Sequence, residues 1–102
     1  MTTTPTTPPR VLPLGRLVAT PGVARFMASL TATDTFVGDS IQRHMNCNWG
    51  EMDPEDCKEN DQAVDRGYRV MSKFIHAATD TTIWIITEAD RSSTTLLLPE
   101  EY

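Results

Sequence analysis

Three β-branched and aromatic segments fill the last third of the chain, and they restrict the fold more than any other feature. Alternation over residues 68–76 predicts a first strand. Residues 81–88 predict a central strand, with Trp84 and Ile86 on the face opposite to the neighbouring isoleucines. A third strand is expected over residues 94–98, and hairpin-length turns join all three. The sequence therefore predicts a three-stranded antiparallel meander.

Helix start signals precede the strands. Thr20 and Pro21 predict a helix that ends near residue 29, and Asp34 predicts a second helix over about residues 35–45. A third helix should begin at Asp53 and end at Gly67. Together with the meander, these elements predict an α+β fold with two or three helices packed on one face of the sheet.

The segment before the first helix carries less regular signals. Residues 10–17 contain Pro13, which favours a short extended or turn segment over a strand. Residues 1–9 hold five Thr and three Pro, a composition typical of a disordered tail. With 102 residues in all, the sequence predicts one domain over residues 10–102.

Composition indicates the cellular compartment and argues against two classes of partner. The chain has no apolar run long enough to span a bilayer, no secretory signal pattern and only two cysteines, so we expect a cytoplasmic protein with reduced thiols and no membrane partner. Nine Lys and Arg against fourteen Asp and Glu give a net charge of −5. This balance argues against direct nucleic-acid binding by phosphate neutralisation.

The negative charge is concentrated in the third predicted helix. Residues 51–66 contain seven acidic and two basic residues. Such a helix can steer binding to a basic protein surface, although a charged face can also be only solvated. Together with the polar turn that precedes the last strand, it yields a predicted partner-binding set: Asp53, Glu55, Asp56, Glu59, Asp61, Asp65, Asp90, Arg91 and Ser92.

Two kinds of chemical site were weighed against this interpretation. The four candidate zinc ligands lack a paired-ligand spacing, so we predict no metal site, and neither a catalytic residue nor a cofactor is indicated; these ligands are His44, Cys47, Cys57 and His76. The alternative that remains open is a small enzyme or ligand-binding domain that uses the turn at Glu88, Asp90 and Arg91 with one of the two histidines. A deep pocket that joins the turn to a histidine would favour it.

The C-terminal sequence WIITEADRSSTTLLLPEEY, residues 84–102, resembles a family of small bacterial proteins encoded on plasmids and integrative conjugative elements. Residues 12–22, Arg43-His44, Trp49-Gly50 and Glu59-Asn60 are also similar to that family's pattern. Members carry labels such as "plasmid-related protein" or "type I restriction endonuclease subunit M". The second label implies a methyltransferase, whose Gly-rich loop and Asn-Pro-Pro-aromatic motif are missing here. The resemblance implies a setting on mobile DNA and no particular activity.

We therefore expect a non-enzymatic accessory protein of mobile DNA that binds another protein through its acidic helix. One specific form is an anti-restriction or anti-CRISPR inhibitor, in which the helix acids occupy the basic channel of a nucleic-acid-handling defence protein. A second expectation is a homodimer. It follows from Trp84 and Ile86, which project from a sheet face that the helices leave uncovered.

Overall fold

The computed structural model describes residues 11–102 and contains a four-stranded sheet and three α-helices, which confirms the α+β fold. The elements follow the order β1 (Arg16–Ala19), α1 (Pro21–Ser29), α2 (Phe36–Met45), α3 (Pro54–Arg66), β2 (Val70–His76), β3 (Thr81–Thr87), β4 (Ser93–Leu97) and a final 3₁₀ turn (Pro99–Glu101). The predicted tail, residues 1–9, lies outside the described residues.

The sheet has the strand order β1-β4-β3-β2 and is mixed. β2, β3 and β4 form the predicted antiparallel meander, and β1 pairs parallel to β4. The prediction of only three strands is therefore wrong. It depended on Pro13, but the chain turns at Gly15, where φ is 62°, and the strand begins beyond both residues.

Local signals placed the helix ends well. The Thr20 hydroxyl accepts the Val23 N–H, and the Asp53 carboxylate accepts the Asp56 N–H at 3.0 Å. Gly67 ends α3 in the left-handed conformation. Asp34 lies just before α2 and accepts the Phe36 N–H at 2.9 Å, so it serves the helix start without being the residue that flanks it.

The main core lies between α1, α2 and one face of the sheet. Its buried members are Val23, Phe26, Val37, Phe74, Ile83, Ile85 and Leu96. A second cluster joins the segment before β1 and α3 to the start of β2; it contains Leu12, Trp49, Ala63 and Val70. Burial of these side chains supplies the main stabilisation of a domain of this size.

The opposite face of the sheet is more buried than the sequence suggests. Ile86 and Leu97 are buried there, and Trp84 is half-buried. The Tyr102 ring packs edge-on against Trp84 with 5.4 Å between ring centroids. The chain's own C-terminal residues thus cover part of the face on which the homodimer prediction rested.

Candidate partner-binding site

The acidic helix α3 lies along the outer edge of β2. Its thirteen residues extend about 20 Å. Only Asn60 and Ala63 are buried, so most of the helix faces water. The Asn60 amide donates to the Met71 carbonyl at 2.6 Å and accepts the Met71 N–H at 3.3 Å. One side chain therefore makes the two hydrogen bonds that a neighbouring strand would make, and it fixes the helix against the sheet.

All six predicted acids of this segment are exposed, but they do not form one row. Asp56 and Glu59 border the back face of the sheet, together with Met71 and Tyr102. Asp61 lies toward the other flank, where it accepts the Trp49 indole N–H at 3.0 Å. By helical periodicity, Lys58, Gln62 and Arg66 occupy the ridge between the two flanks.

Three carboxylates in the first half of α3 lack internal partners, and two of them, Asp56 and Glu59, lie on the flank that borders the groove described below, here called the first flank. Within residues 11–102, the side chains of Glu55, Asp56 and Glu59 make no hydrogen bond or ion pair with another residue. Arg69, the cation that lines the same groove, instead pairs with Glu88 at 3.7 Å and donates to the Tyr102 hydroxyl at 3.1 Å. The negative charge of this flank is therefore not neutralised within the described part of the fold.

An open groove of about 220 Å³ runs beside these acids. Its lining combines apolar side chains with charged and polar ones: Met52, Asp56, Glu59, Asn60, Arg69, Met71, Ile86 and Tyr102. A second depression of about 400 Å³ shares Glu59 and Arg69 with the groove and is lined by Gln62 and Tyr68 as well. Sequence reasoning missed the strand residues of this groove, although the alternation in β2 places Arg69 and Met71 on one face.

The predicted turn site contacts the end of the same helix. Arg91 has a φ of 61°, and its guanidinium donates to the carbonyls of Tyr68, Ala63 and Glu88 at 2.7, 3.0 and 3.1 Å. Two of these carbonyls end α3 or follow it. The structure therefore joins the turn to the acidic helix, as the predicted binding set requires, but it engages the Arg91 side chain in internal hydrogen bonds.

Asp90 and Ser92 form a local turn. The Asp90 carboxylate accepts the Ser92 hydroxyl at 2.6 Å and the Ser92 N–H at 3.0 Å. These bonds from Ser92 lower the pKa of Asp90 below its ordinary value. The donors of Ser92 are thus satisfied by a carboxylate of the chain, which argues against an anion site at this turn.

Removing the Arg91 side chain should test its structural role. We expect Arg91→Ala to lower the free energy of unfolding by about 2 kcal/mol, because it leaves three backbone carbonyls without their charged donor. Arg66→Ala removes an exposed arginine from the same helix end and should change stability by less than about 0.5 kcal/mol. Urea unfolding of both variants measures the difference, and equal effects would contradict this role.

His44 is fully buried at the centre of a polar chain. Its Nδ1 lies 2.6 Å from the Ser72 hydroxyl and its Nε2 lies 2.8 Å from the Thr87 hydroxyl. Thr87 pairs with Thr94 at 2.7 Å, and Thr94 donates to the Leu14 carbonyl at 2.7 Å. Burial lowers the pKa of His44 to about 4, and the nearby Arg91 charge adds to the shift.

His76 is held at the other end of β2. Its ring nitrogens contact the Asp34 carboxylate at 2.8 Å and the Thr79 hydroxyl at 2.7 Å. Neither histidine is hydrogen-bonded to the Glu88–Ser93 turn or lines the groove. The pocket that would favour the enzyme alternative is therefore not found at this groove. Residues 11–102 also hold no cluster of three or more His, Cys, Asp or Glu placed to bind a metal ion.

The comparisons with known proteins add no relative. No family model, curated protein or solved structure matches the chain. Among the described residues, no helix has both the length and the apolar character needed to cross a bilayer. The arguments that follow therefore depend on the geometry of this chain and on its charge.

Proposed function

We propose that this chain is a non-enzymatic accessory protein that binds another protein through the first flank of α3 and the groove beside it. The observation that carries the proposal is that Asp56 and Glu59, two exposed carboxylates without an internal hydrogen bond or ion pair, border a groove that Met52 and Met71 also line. Uncompensated charge beside apolar surface is typical of a surface that gains both steering and burial on binding.

The chemistry of the groove indicates the kind of segment that it accepts. Met52, Met71 and Ile86 offer apolar contact, and methionine adapts to irregular partners. The acidic residues of the groove favour a Lys or Arg side chain. Its methylene stem can lie on Met52 and Met71 while its charge meets Asp56 or Glu59. The favoured partner therefore presents a basic residue next to an apolar one on a protein surface.

The resemblance to proteins of mobile DNA extends the proposal to a biological role. A mobile element benefits from inhibiting restriction or CRISPR effectors, and these nucleic-acid-handling proteins carry basic channels in the cytoplasm. The separation of the α3 acids onto two flanks, with Lys58 and Arg66 between them, supports binding of a local basic segment more than imitation of a continuous row of phosphates.

Charge reversal in the groove tests the proposal. Wild-type protein and the Glu59→Lys variant would be immobilised, exposed to nuclease-treated bacterial lysate, and compared by mass spectrometry. We expect a salt-sensitive partner whose affinity for Glu59→Lys, measured with the purified partner, falls about tenfold or more because attraction is replaced by repulsion. Asp61 is left unchanged because it accepts the Trp49 indole N–H.

The matched control is Glu100→Lys, which makes the same charge change at an exposed residue outside α3. It should retain the partner with nearly wild-type affinity. Equal capture by the wild type and Glu59→Lys, or equal losses in both variants, would contradict a binding site on α3. A column that retains no specific protein would contradict the proposed function as a whole.

A further inference from the structure

Within residues 11–102, the outer side of β1 is an uncovered strand edge. β1 pairs with β4 alone, and all four of its residues are exposed. The Arg16 N–H donates to the Ser92 carbonyl and the Thr20 N–H to the Leu96 carbonyl, both at 3.0 Å, so alternate residues starting from Arg16 face β4. Because backbone groups alternate between the two sides of a strand, those of Leu17 and Ala19 point away from the sheet.

The opposite edge of the sheet is covered over Met71 and Lys73. Along β2, Met71 is paired by the Asn60 amide. The Lys73 N–H donates to the Trp49 carbonyl at 3.2 Å, and the Lys73 carbonyl accepts the Glu51 N–H at 2.7 Å. Proteins commonly cover strand edges in this way to prevent pairing with another chain. In the described part of this fold, the outward backbone groups of Met71 and Lys73 in β2 are paired, whereas those of Leu17 and Ala19 in β1 are not.

From this contrast we propose that β1 pairs antiparallel with β1 of a second copy of the chain, around a two-fold axis at Val18. In this register Leu17 faces the partner's Ala19, and Ala19 faces the partner's Leu17. Each pair exchanges two N–H to carbonyl hydrogen bonds, so the outward groups of both residues are satisfied. The two sheets of four strands become one continuous sheet of eight strands.

Side chains and charge favour a second copy as the occupant. Leu17 is 50% exposed and Val18 is 38% exposed, one on each face of the sheet, so pairing buries apolar surface on both faces. The negative charge of residues 51–66 lies beside β2, at the far edge. A dimer through β1 therefore keeps the two acidic helices at opposite ends, where their repulsion is screened.

This register can be tested by placing opposite charges at Val18 in the two copies. Light scattering of the wild type over a concentration series should give the mass of a dimer at the upper end. Val18→Arg alone and Val18→Glu alone should be monomeric, because two like charges meet at the axis. An equimolar mixture of the two variants should regain the dimer mass, and backbone amide exchange of Leu17 and Ala19 should slow with concentration in the wild type.

Ile75→Arg is the control, because it adds a charge at an exposed residue of β2, on the opposite edge of the sheet, and it should leave the dimer intact. A wild-type chain that stays monomeric at millimolar concentration would overturn the proposal. A dimer that survives in both Val18 variants, or a mixture that fails to associate although both variants are folded by circular dichroism, would also overturn it. The proposal is independent of the α3 site, because Glu59→Lys should not alter the mass.

Discussion

Lowering the pH from 7 to 4 is expected to reduce the free energy of unfolding by about 3 kcal/mol through His44 alone. The folded state holds the pKa of this residue near 4, against 6.5 for an unperturbed histidine. As the pH falls, the unfolded chain therefore binds a proton before the folded chain does. The stabilisation is complete above pH 6.5 and is lost as the pH falls from 6.5 toward 4.

The direction of the hydrogen bonds around His44 gives the physical reason. The Leu14 carbonyl can only accept, so Thr94 donates to it and must accept from Thr87. Thr87 then accepts from Nε2–H of His44, which leaves Nδ1 as the acceptor of the Ser72 hydroxyl. Protonation of Nδ1 removes this acceptor and places a charge in a fully buried site.

Urea unfolding at pH 7 and pH 4 would be compared between the wild type and His44→Gln. Glutamine offers one acceptor and one donor but does not titrate, so the variant should lose most of the pH dependence between 6.5 and 4. The carboxylates with lowered pKa values, Asp34, Asp90 and Glu101, are common to both proteins and titrate at lower pH. Equal pH dependence in both proteins would show that His44 is not the cause.

Signals that lie in a few neighbouring residues predicted the local structure. Asp53, Pro54 and Gly67 predicted the bounds of α3, and the alternation in residues 81–88 predicted the central strand. β1 was missed because the strand with which it pairs, β4, lies more than seventy residues further along the chain. A strand of four exposed residues at the edge of a sheet shows no hydrophobic alternation, so sequence reasoning had no local signal for it.

In the candidate site, too, local sequence predicted some features, whereas others depend on contacts between distant segments. The exposure of the α3 acids followed from their density, whereas the groove depends on how β2 and Tyr102 meet the helix. α2 buries two polar side chains, Ser40 and His44, beside Val37. A polar core of this kind is visible only when Ser72, Thr87 and Thr94 are brought into register by the sheet.

Gly50→Ala is expected to lower the free energy of unfolding by about 3 to 4 kcal/mol. Gly50 has a φ of 72°, which an alanine adopts only with strain. A Cβ atom there would also collide with the Lys73 carbonyl and the Phe74 ring, and neither can move without disturbing β2 or the core. The change therefore acts on the segment that covers the outer edge of β2.

Substitutions at two other glycines distinguish the effect of backbone strain from that of a steric clash. Gly67 has a φ of 75° with open space around it, so Gly67→Ala should cost about 1 kcal/mol from strain alone. Gly38 has space and no positive φ inside α2, so Gly38→Ala should raise stability by up to about 1 kcal/mol. Thermal and urea unfolding of the three variants give the order directly. If Gly50→Ala lowers the free energy of unfolding no more than Gly67→Ala does, the segment at Gly50 can shift to accommodate a methyl group.

In that case the contacts of Lys73 would hold this segment against the edge of β2 only weakly, and the contrast between the two sheet edges would be smaller than those contacts indicate.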